Sequence, residues 1–292
     1  MKKNIVNMVQ GFCMALADSV PGISGGTVAF ILGFYEKFIN SVNAFVAKGE
    51  DKKKAFSFLF KLGIGWAIGM ALAAIVLSKL FEDHIYSVSS LFIGFIVFAI
   101  PIIIKEEKNT LKGKYGYLIY SLIGIAIVSL ITYFNPTGGG SNVDLTNLNP
   151  LLCLYVFMAG VIAISAMVVP GISGSTLLLI FGLYVPVITS ISEVLHFNFG
   201  SLPILIVFGF GVITGLLLVV KLIKKALDKY RAEAIYMVLG LMVGSIYAII
   251  MGPTSLSVPK EAMNFGTFSI LFFIFGGIIV YGLEVLKRKL DK

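Results

Sequence analysis

Long apolar stretches separated by short, lysine-bearing polar segments make up most of this chain. Six of the stretches are close to the roughly 20 residues that a helix needs to cross a bilayer; they cover about 62–79, 88–104, 115–134, 203–222, 235–251 and 267–286. Two further apolar regions, about 4–46 and 152–192, are too long for one helix and are interrupted in the middle. The pattern predicts an all-α polytopic membrane protein.

The two interrupted regions carry the same break. Residues 18–27 are Asp-Ser-Val-Pro-Gly-Ile-Ser-Gly-Gly-Thr, and residues 167–176 are Met-Val-Val-Pro-Gly-Ile-Ser-Gly-Ser-Thr. Pro-Gly followed by Ser-Gly stops a helix, and lipid cannot satisfy the backbone groups that a break sets free. The sequence therefore predicts helix breaks that are packed in protein or line a cavity, at Pro21, Gly22, Pro170 and Gly171.

The matching breaks belong to a longer repeat. Sliding the chain by 149 positions superimposes residues 11–41 on 160–190 with 14 identities in 31 positions and no gap. We expect a single membrane domain, 1–292, built from two repeats of about 1–135 and 150–292. Each repeat would hold one helical hairpin and three transmembrane helices.

The basic residues separate two topologies. Each interrupted region is either a re-entrant hairpin or a single broken crossing, and cytoplasmic loops carry an excess of lysine and arginine. With hairpins and a cytoplasmic N-terminus, 20 of the 23 basic residues lie inside, whereas single crossings move ten of them outside. We therefore predict hairpins, an inverted second repeat, cytoplasmic N- and C-termini, and hairpin tips that meet near the midplane.

The tips have the chemistry of an anion site. A helix that restarts after a break presents free N–H groups and the positive end of its dipole, and hydroxyls add further donors. The predicted phosphate-binding residues are Ser24, Gly25, Gly26, Thr27, Ser173, Gly174, Ser175 and Thr176. The alternative is that the small residues only permit kinks and close helix packing.

Charged residues near the first break are candidates for coupling or gating. A carboxylate at membrane depth is costly, so Asp18, whose repeat partner is Met167, is expected to carry a proton or pair with a lysine without touching the anion. Its alternative role is to cap the following turn. Glu36 and Lys37 are predicted to line the cytoplasmic mouth of a cavity, or else to form a surface pair at a helix end.

Other functions find little support in the residues. Cys13 and Cys153 lie in apolar runs, and no His, Cys or carboxylate cluster has the spacing of a metal site. Nucleotide-binding and hydrolase motifs are absent as well. We predict no metal, no cofactor and no enzymatic activity, and we attribute the net charge of +8 to membrane topology rather than to nucleic-acid binding.

The doubled motif resembles a bacterial membrane family, formerly a domain of unknown function, that is assigned as polyprenyl-phosphate (undecaprenyl-phosphate) translocases. The resemblance implies return of the lipid carrier phosphate from the outer to the inner leaflet of the cytoplasmic membrane, for recycling in peptidoglycan and other envelope synthesis. The tips suggest alternating access, with proton coupling left open. The competing hypothesis is an ion-coupled transporter of a small soluble anion. Expected partners are the lipid substrate and membrane lipids; a homodimer is left open.

Overall fold

The structure, a computed structural model, describes residues 2–18, 24–45, 51–72, 78–135, 143, 145, 149–255 and 258–290. Every regular element within these ranges is helical, which confirms the predicted all-α class. The predicted helix break at Pro21 and Gly22 lies outside the described residues.

The described residues of the first half of the chain form seven helices. They are α1 (Lys2–Asp18), α2 (Gly25–Ile31), α3 (Tyr35–Asn43), α4 (Lys52–Leu72), α5 (Ser78–Glu106), α6 (Lys108–Leu111) and α7 (Leu118–Tyr133). The second half forms six, which are α8 (Pro150–Val168), α9 (Gly174–Ile180), α10 (Tyr184–Leu195), α11 (Leu202–Lys229), α12 (Arg231–Met251) and α13 (Ile270–Leu290). Short 3₁₀ turns cover Tyr115–Tyr117, Phe199–Ser201 and Gly252–Ser255.

Six helices of the described chain are long and apolar enough to cross a membrane, so this is a multi-pass membrane protein. They cover Lys52–Leu72, His84–Glu106, Tyr115–Tyr133, Pro150–Val168, Phe199–Lys229 and Arg231–Thr254. A bent pair, Gly174–Ile180 with Tyr184–Ile191, turns by 109° at its break and has the form of a broken span or a re-entrant loop.

The span predicted at 62–79 begins ten residues earlier than expected, at Lys52. Lysine is a good helix former, and its long side chain reaches the membrane surface from a helix end. The helix therefore extends beyond the apolar window from which it was predicted. The far end of that prediction overlaps residues 73–77, which lie outside the described ranges.

Four helix pairs hold the molecule together. One pair forms within each half of the chain: α1 with α4 in the first half and α8 with α11 in the second. The other two, α5 with α13 and α7 with α12, join the second span of one half to the third span of the other. Because the third spans are exchanged in this way, neither half packs its helices independently of the other.

The two within-half pairs use matching glycines. A Cβ on Gly11 of α1 would lie 1.9 Å from the carbonyl oxygen of Leu62, and one on Gly160 of α8 would lie 2.8 Å from that of Phe208. These positions correspond in the repeat predicted from the sequence. The inverted orientation of the second repeat stays a prediction.

The short helices α2 and α9 are both followed by a glycine at the equivalent position of the repeat. Gly33 follows α2 with a φ of +68°, and Gly182 follows α9 with a φ of +64°. Residues with a Cβ avoid this left-handed region, so glycine permits the chain to end the short helix and start the next one, which for α9 and α10 lies at 109°. The repeat thus extends to backbone conformation at the hairpin turns.

Candidate functional site

A cavity of about 530 Å³ lies where the two halves meet. Its walls come from α1 and α4 of the first half and from α8 and α11 of the second, and Phe38 of α3 adds to them. Most of the wall is aliphatic or aromatic. Polar groups are supplied by Asp18, Trp66, Ser173 and Ser175 together with backbone at the helix restarts.

The described part of the first motif forms a joint with the second. Ser24 caps α2 by accepting a hydrogen bond from the amide of Thr27 (3.2 Å). The Thr27 hydroxyl accepts one from the amide of Gly171 (2.8 Å). A Cβ on Gly26 would lie only 2.5 Å from the carbonyl oxygen of Val168, so the two backbones approach closely there. Both hydroxyls are buried in this joint and are not part of the cavity wall.

The second motif presents its hydroxyls differently. Helix α8 ends just before Pro170, and Gly171 has a φ of +92°, so the chain breaks where the sequence predicted. The hydroxyls of Ser173 and Ser175 lie 2.8 Å apart and both residues line the cavity beside Gly174. Thr176 is buried and stands outside the cavity wall.

Asp18 ends α1 at the cavity and is already engaged by protein donors. Its Oδ1 accepts a hydrogen bond from the amide of Gly25 (2.6 Å), and its Oδ2 accepts one from the indole Nε1 of Trp66 (3.0 Å). The restart of α2 therefore faces a carboxylate of its own chain, which corresponds to the capping role considered for Asp18. On the second tip the equivalent residue is the uncharged Met167.

Sequence reasoning missed Trp66. A signal was available, because it is the single tryptophan of the chain and lies among glycines of α4 that recur in α11. Gly63, Gly65 and Gly69 match Gly209, Gly211 and Gly215 at a spacing of 146 positions, so the equivalent residue of α11 is Val212. Its ring lines the cavity while its N–H reaches Asp18. An indole at this position also supplies an intrinsic fluorescent probe of the site.

Glu36 and Lys37 lie away from the cavity wall. Glu36 pairs with Arg231 at 2.8 Å, and Arg231 also donates to both carboxylate oxygens of Glu107. Burial alone would raise the pKa of Glu107, but the hydrogen bonds from Arg231 and Thr110 outweigh it and the pKa is lowered. This ion-pair cluster connects α3 to the start of α12 and to the turn between α5 and α6.

Lys37 is held differently from its neighbour. Its Nζ donates to Oδ1 of Asn7 at 3.3 Å and lies 3.8 Å from the centre of the Phe58 ring. These contacts fasten α3 to α1 and α4. Within the described residues, no three His, Cys, Asp or Glu side chains are grouped so as to hold a metal ion.

Comparison with known proteins assigns the chain to a family. The family described as undecaprenyl phosphate translocase-like matches residues 14–267, which include both motifs and nearly all of the helices described above. The chain belongs to that family. The resemblance drawn from the doubled Pro-Gly-Ile-Ser-Gly motif is thereby confirmed.

Two curated relatives of this translocase-like family cover most of the chain. A polyprenyl-phosphate transporter of Staphylococcus aureus is 34% identical over 252 residues, which is 86% of this chain and 88% of that protein. A polyprenyl-phosphate transporter of Vibrio cholerae is 30% identical over 249 residues, 82% and 75% of the two chains. No solved structure is significantly similar. The family and both relatives are transporters rather than enzymes, which confirms that prediction.

Proposed function

We propose that the protein moves undecaprenyl phosphate from the outer to the inner leaflet of the bacterial cytoplasmic membrane, for reuse in envelope synthesis. One observation carries the proposal: among the described residues, the cavity between the two motifs is apolar over most of its wall and has hydroxyls at one place only. A small soluble anion needs donors or water on all sides, because burying its charge without them is costly. A lipid phosphate brings its own apolar tail to such a wall.

The phosphate is held, in this proposal, by the hydroxyls of Ser173 and Ser175 and the backbone beside them. Among the described residues of the two motifs they are the hydroxyls that line the cavity, whereas Ser24 and Thr27 are used in the joint. Uncharged donors suit a ligand that has to be released again on the other side. Hydrogen bonds to a charged group contribute about 1.5–3 kcal/mol each, enough to orient the headgroup without trapping it.

Asp18 is the proposed coupling residue. It shares the cavity with the two serines, so an ionised carboxylate there would repel an incoming phosphate. Protonation removes the repulsion; it weakens the hydrogen bond at the oxygen that takes the proton, while the other oxygen continues to accept one. Binding of the lipid and binding of a proton would then favour each other, which is proton coupling in its simplest form.

The substitution Asp18→Asn tests this coupling. Asparagine mimics the protonated carboxyl, so we expect transport by the variant to vary little with pH, whereas wild-type transport falls as pH rises and the carboxyl ionises. The measurement is the rate of undecaprenyl phosphate headgroup translocation in proteoliposomes across a pH series. Thr132→Ala, which removes a buried hydroxyl bonded within α7, is the control for general disturbance. A variant with the wild-type pH profile would contradict the proposal.

Alternating access requires one side to be closed, and α3 is the proposed gate. It packs against both α4 and α11, and the hydroxyl of Tyr35 donates to the carbonyl of Val168 at 3.1 Å. The corresponding helix of the second half, α10, packs on α9 and α11. We propose that α3 closes the cavity toward the lysine-rich, cytoplasmic side, and that the Glu36–Arg231 pair holds it there.

Removing that pair should loosen the gate. The assay measures how fast a cysteine placed at Met167, inside the cavity, reacts with a polar maleimide added from the cytoplasmic side. We expect Glu36→Gln to raise this rate by about two- to fivefold, a small effect because exposed ion pairs are weak. The background would carry alanine at Cys13 and Cys153. Asp51→Asn, which removes another exposed, paired carboxylate, should leave labelling unchanged. Equal labelling in all variants would exclude this role for Glu36.

The proposed function itself is tested with purified protein in vesicles. Undecaprenyl phosphate is placed in one leaflet and its appearance in the other is followed, with and without a pH gradient, alongside uptake of inorganic phosphate. Protein-dependent movement of the lipid without phosphate uptake supports the proposal. Phosphate uptake without lipid movement would support a transporter of a small soluble anion instead.

A further inference from the structure

Gly63 of α4 combines two properties. It lines the cavity and is exposed, and its helix neighbours Phe60 and Ile64 are exposed without being part of the cavity wall. It stands near the middle of a 21-residue candidate span, so it is far from both ends of the helix. Gly63 therefore lies at the edge between the cavity wall and the outer surface of α4, at about half the depth of the membrane-spanning helix.

The surface around this edge is suited to lipid. Phe60, Ile64 and Ile68 lie beside Gly63 on α4 and are all exposed. At mid-span depth such side chains face hydrocarbon rather than water. An opening at Gly63 would consequently lead into the acyl-chain region of the bilayer.

The cavity wall opposite α4 is apolar as well. Phe208, Val212 and Leu216 of α11 line the cavity and are only partly buried. Leu62 and Met70 of α4 add further apolar side chains, and the indole N–H of Trp66 between them is bonded to Asp18. The cavity thus combines the hydroxyls of Ser173 and Ser175 with a wall that is mainly apolar on the sides of α4 and α11.

We propose that Gly63 forms the mouth through which the isoprenoid tail of a bound lipid phosphate leaves the cavity and enters the bilayer. The inference rests on the proposed function, and it assigns to this surface a ligand of definite chemistry, an unsaturated hydrocarbon chain. Glycine leaves the mouth wide, since any side chain at this position would project into it. A soluble anion would have no use for an opening into hydrocarbon.

The substitution that tests the mouth is sterically simple. A Cβ on Gly63 would meet nothing within 4 Å, so Gly63→Leu narrows the opening without displacing the packed helices. Its matched control is Gly209→Leu at the equivalent position of α11. A Cβ there also meets nothing within 4 Å, yet Gly209 is not part of the cavity wall.

Two probes separate the tail from the headgroup. Undecaprenyl phosphate must pass its long chain through the mouth, whereas geranyl phosphate is short enough to be enclosed. Binding of each is followed through the fluorescence of Trp66, the single tryptophan, in detergent, and translocation of the long lipid is followed in proteoliposomes. We expect Gly63→Leu to weaken binding and translocation of the long lipid at least about tenfold, the size of effect that one apolar group has in a pocket. Geranyl phosphate binding and the Gly209→Leu protein should behave as wild type.

Other results would overturn the inference. Wild-type handling of the long lipid by Gly63→Leu would show that the tail leaves elsewhere. An equal loss for both lipids would place the effect on the headgroup. If the wild type binds the long lipid without moving it, the proposed function fails, while the binding comparison still decides whether the tail uses the mouth. If the wild type binds neither lipid, both proposals fall.

Discussion

Replacing Ser173 and Ser175 together by alanine is expected to lower translocation of undecaprenyl phosphate by about a hundredfold or more while the protein stays folded. Two hydrogen bonds to a charged headgroup are worth about 3–6 kcal/mol in total, and each 1.4 kcal/mol is a factor of about ten. The two hydroxyls bond to each other in the structure, so their loss together leaves no unpaired partner between them. The measurement is headgroup movement in proteoliposomes.

The control for this experiment comes from the other tip. Ser24 has the same position in the repeat as Ser173, but it is buried and caps α2. We expect Ser24→Ala to cost about 1 kcal/mol of stability, as loss of an N-cap usually does, and to transport at nearly the wild-type rate per folded molecule. Equal losses of transport from both tips would mean that the phosphate contacts both. Full transport by the double variant would move the headgroup site elsewhere.

The second large effect is expected at Gly65, which lies where α1 and α4 meet. A Cβ on Gly65 would be 1.8 Å from the carbonyl oxygen of Met8, which no side-chain adjustment can relieve. Gly65→Ala must therefore push the two helices apart, and such overpacking costs about 3 kcal/mol or more when backbone has to move. Thermal unfolding in detergent should show a clear loss of stability.

Glycines with open surroundings provide the contrast. Gly209→Ala adds the same methyl group to a helix interior where nothing lies within 4 Å. Here alanine is expected to raise stability by about 0.5–1 kcal/mol, because glycine loses more backbone entropy on folding. Gly211→Ala should behave like Gly65→Ala, since its Cβ would lie 2.2 Å from the carbonyl oxygen of Phe157. Equal unfolding temperatures for the Gly65 and Gly209 variants would contradict this account of the helix pairs.

Several features of the molecule were predictable from the chain alone. A bilayer fixes the length and apolarity of the helices that cross it, so the membrane class and five of the six predicted spans could be predicted from hydropathy. The sixth candidate span of the described residues, Pro150–Val168, was predicted as part of an interrupted region. The break at Pro170 and Gly171 was predictable because proline and glycine act locally on the backbone. The doubled motif was specific enough to identify the family.

The contacts of Trp66 and Arg231 could not be predicted from the sequence. Each reaches its carboxylate from a helix distant in sequence: Trp66 bonds to Asp18, and Arg231 bonds to Glu36 and Glu107. Periodicity and local motifs carry no information about which helix faces which. The sequence also did not show that Glu36 would pair with Arg231, or Lys37 with Asn7, because these partners lie on other helices. The part of Glu36 and Lys37 in gating stays a proposal.

The sequence by itself determined that this is an all-helical membrane protein with two copies of one broken-helix motif, because those properties depend on apolar length and on local backbone chemistry. Only the tertiary structure decided that the hydroxyls of the two copies lie in different surroundings. Close packing at Gly26 and the bonds of Ser24 and Thr27 use the first tip as a joint, and Asp18 faces its helix start. The second tip keeps Ser173 and Ser175 on the cavity wall. That division depends on the packing of helices from both halves, which no local pattern records.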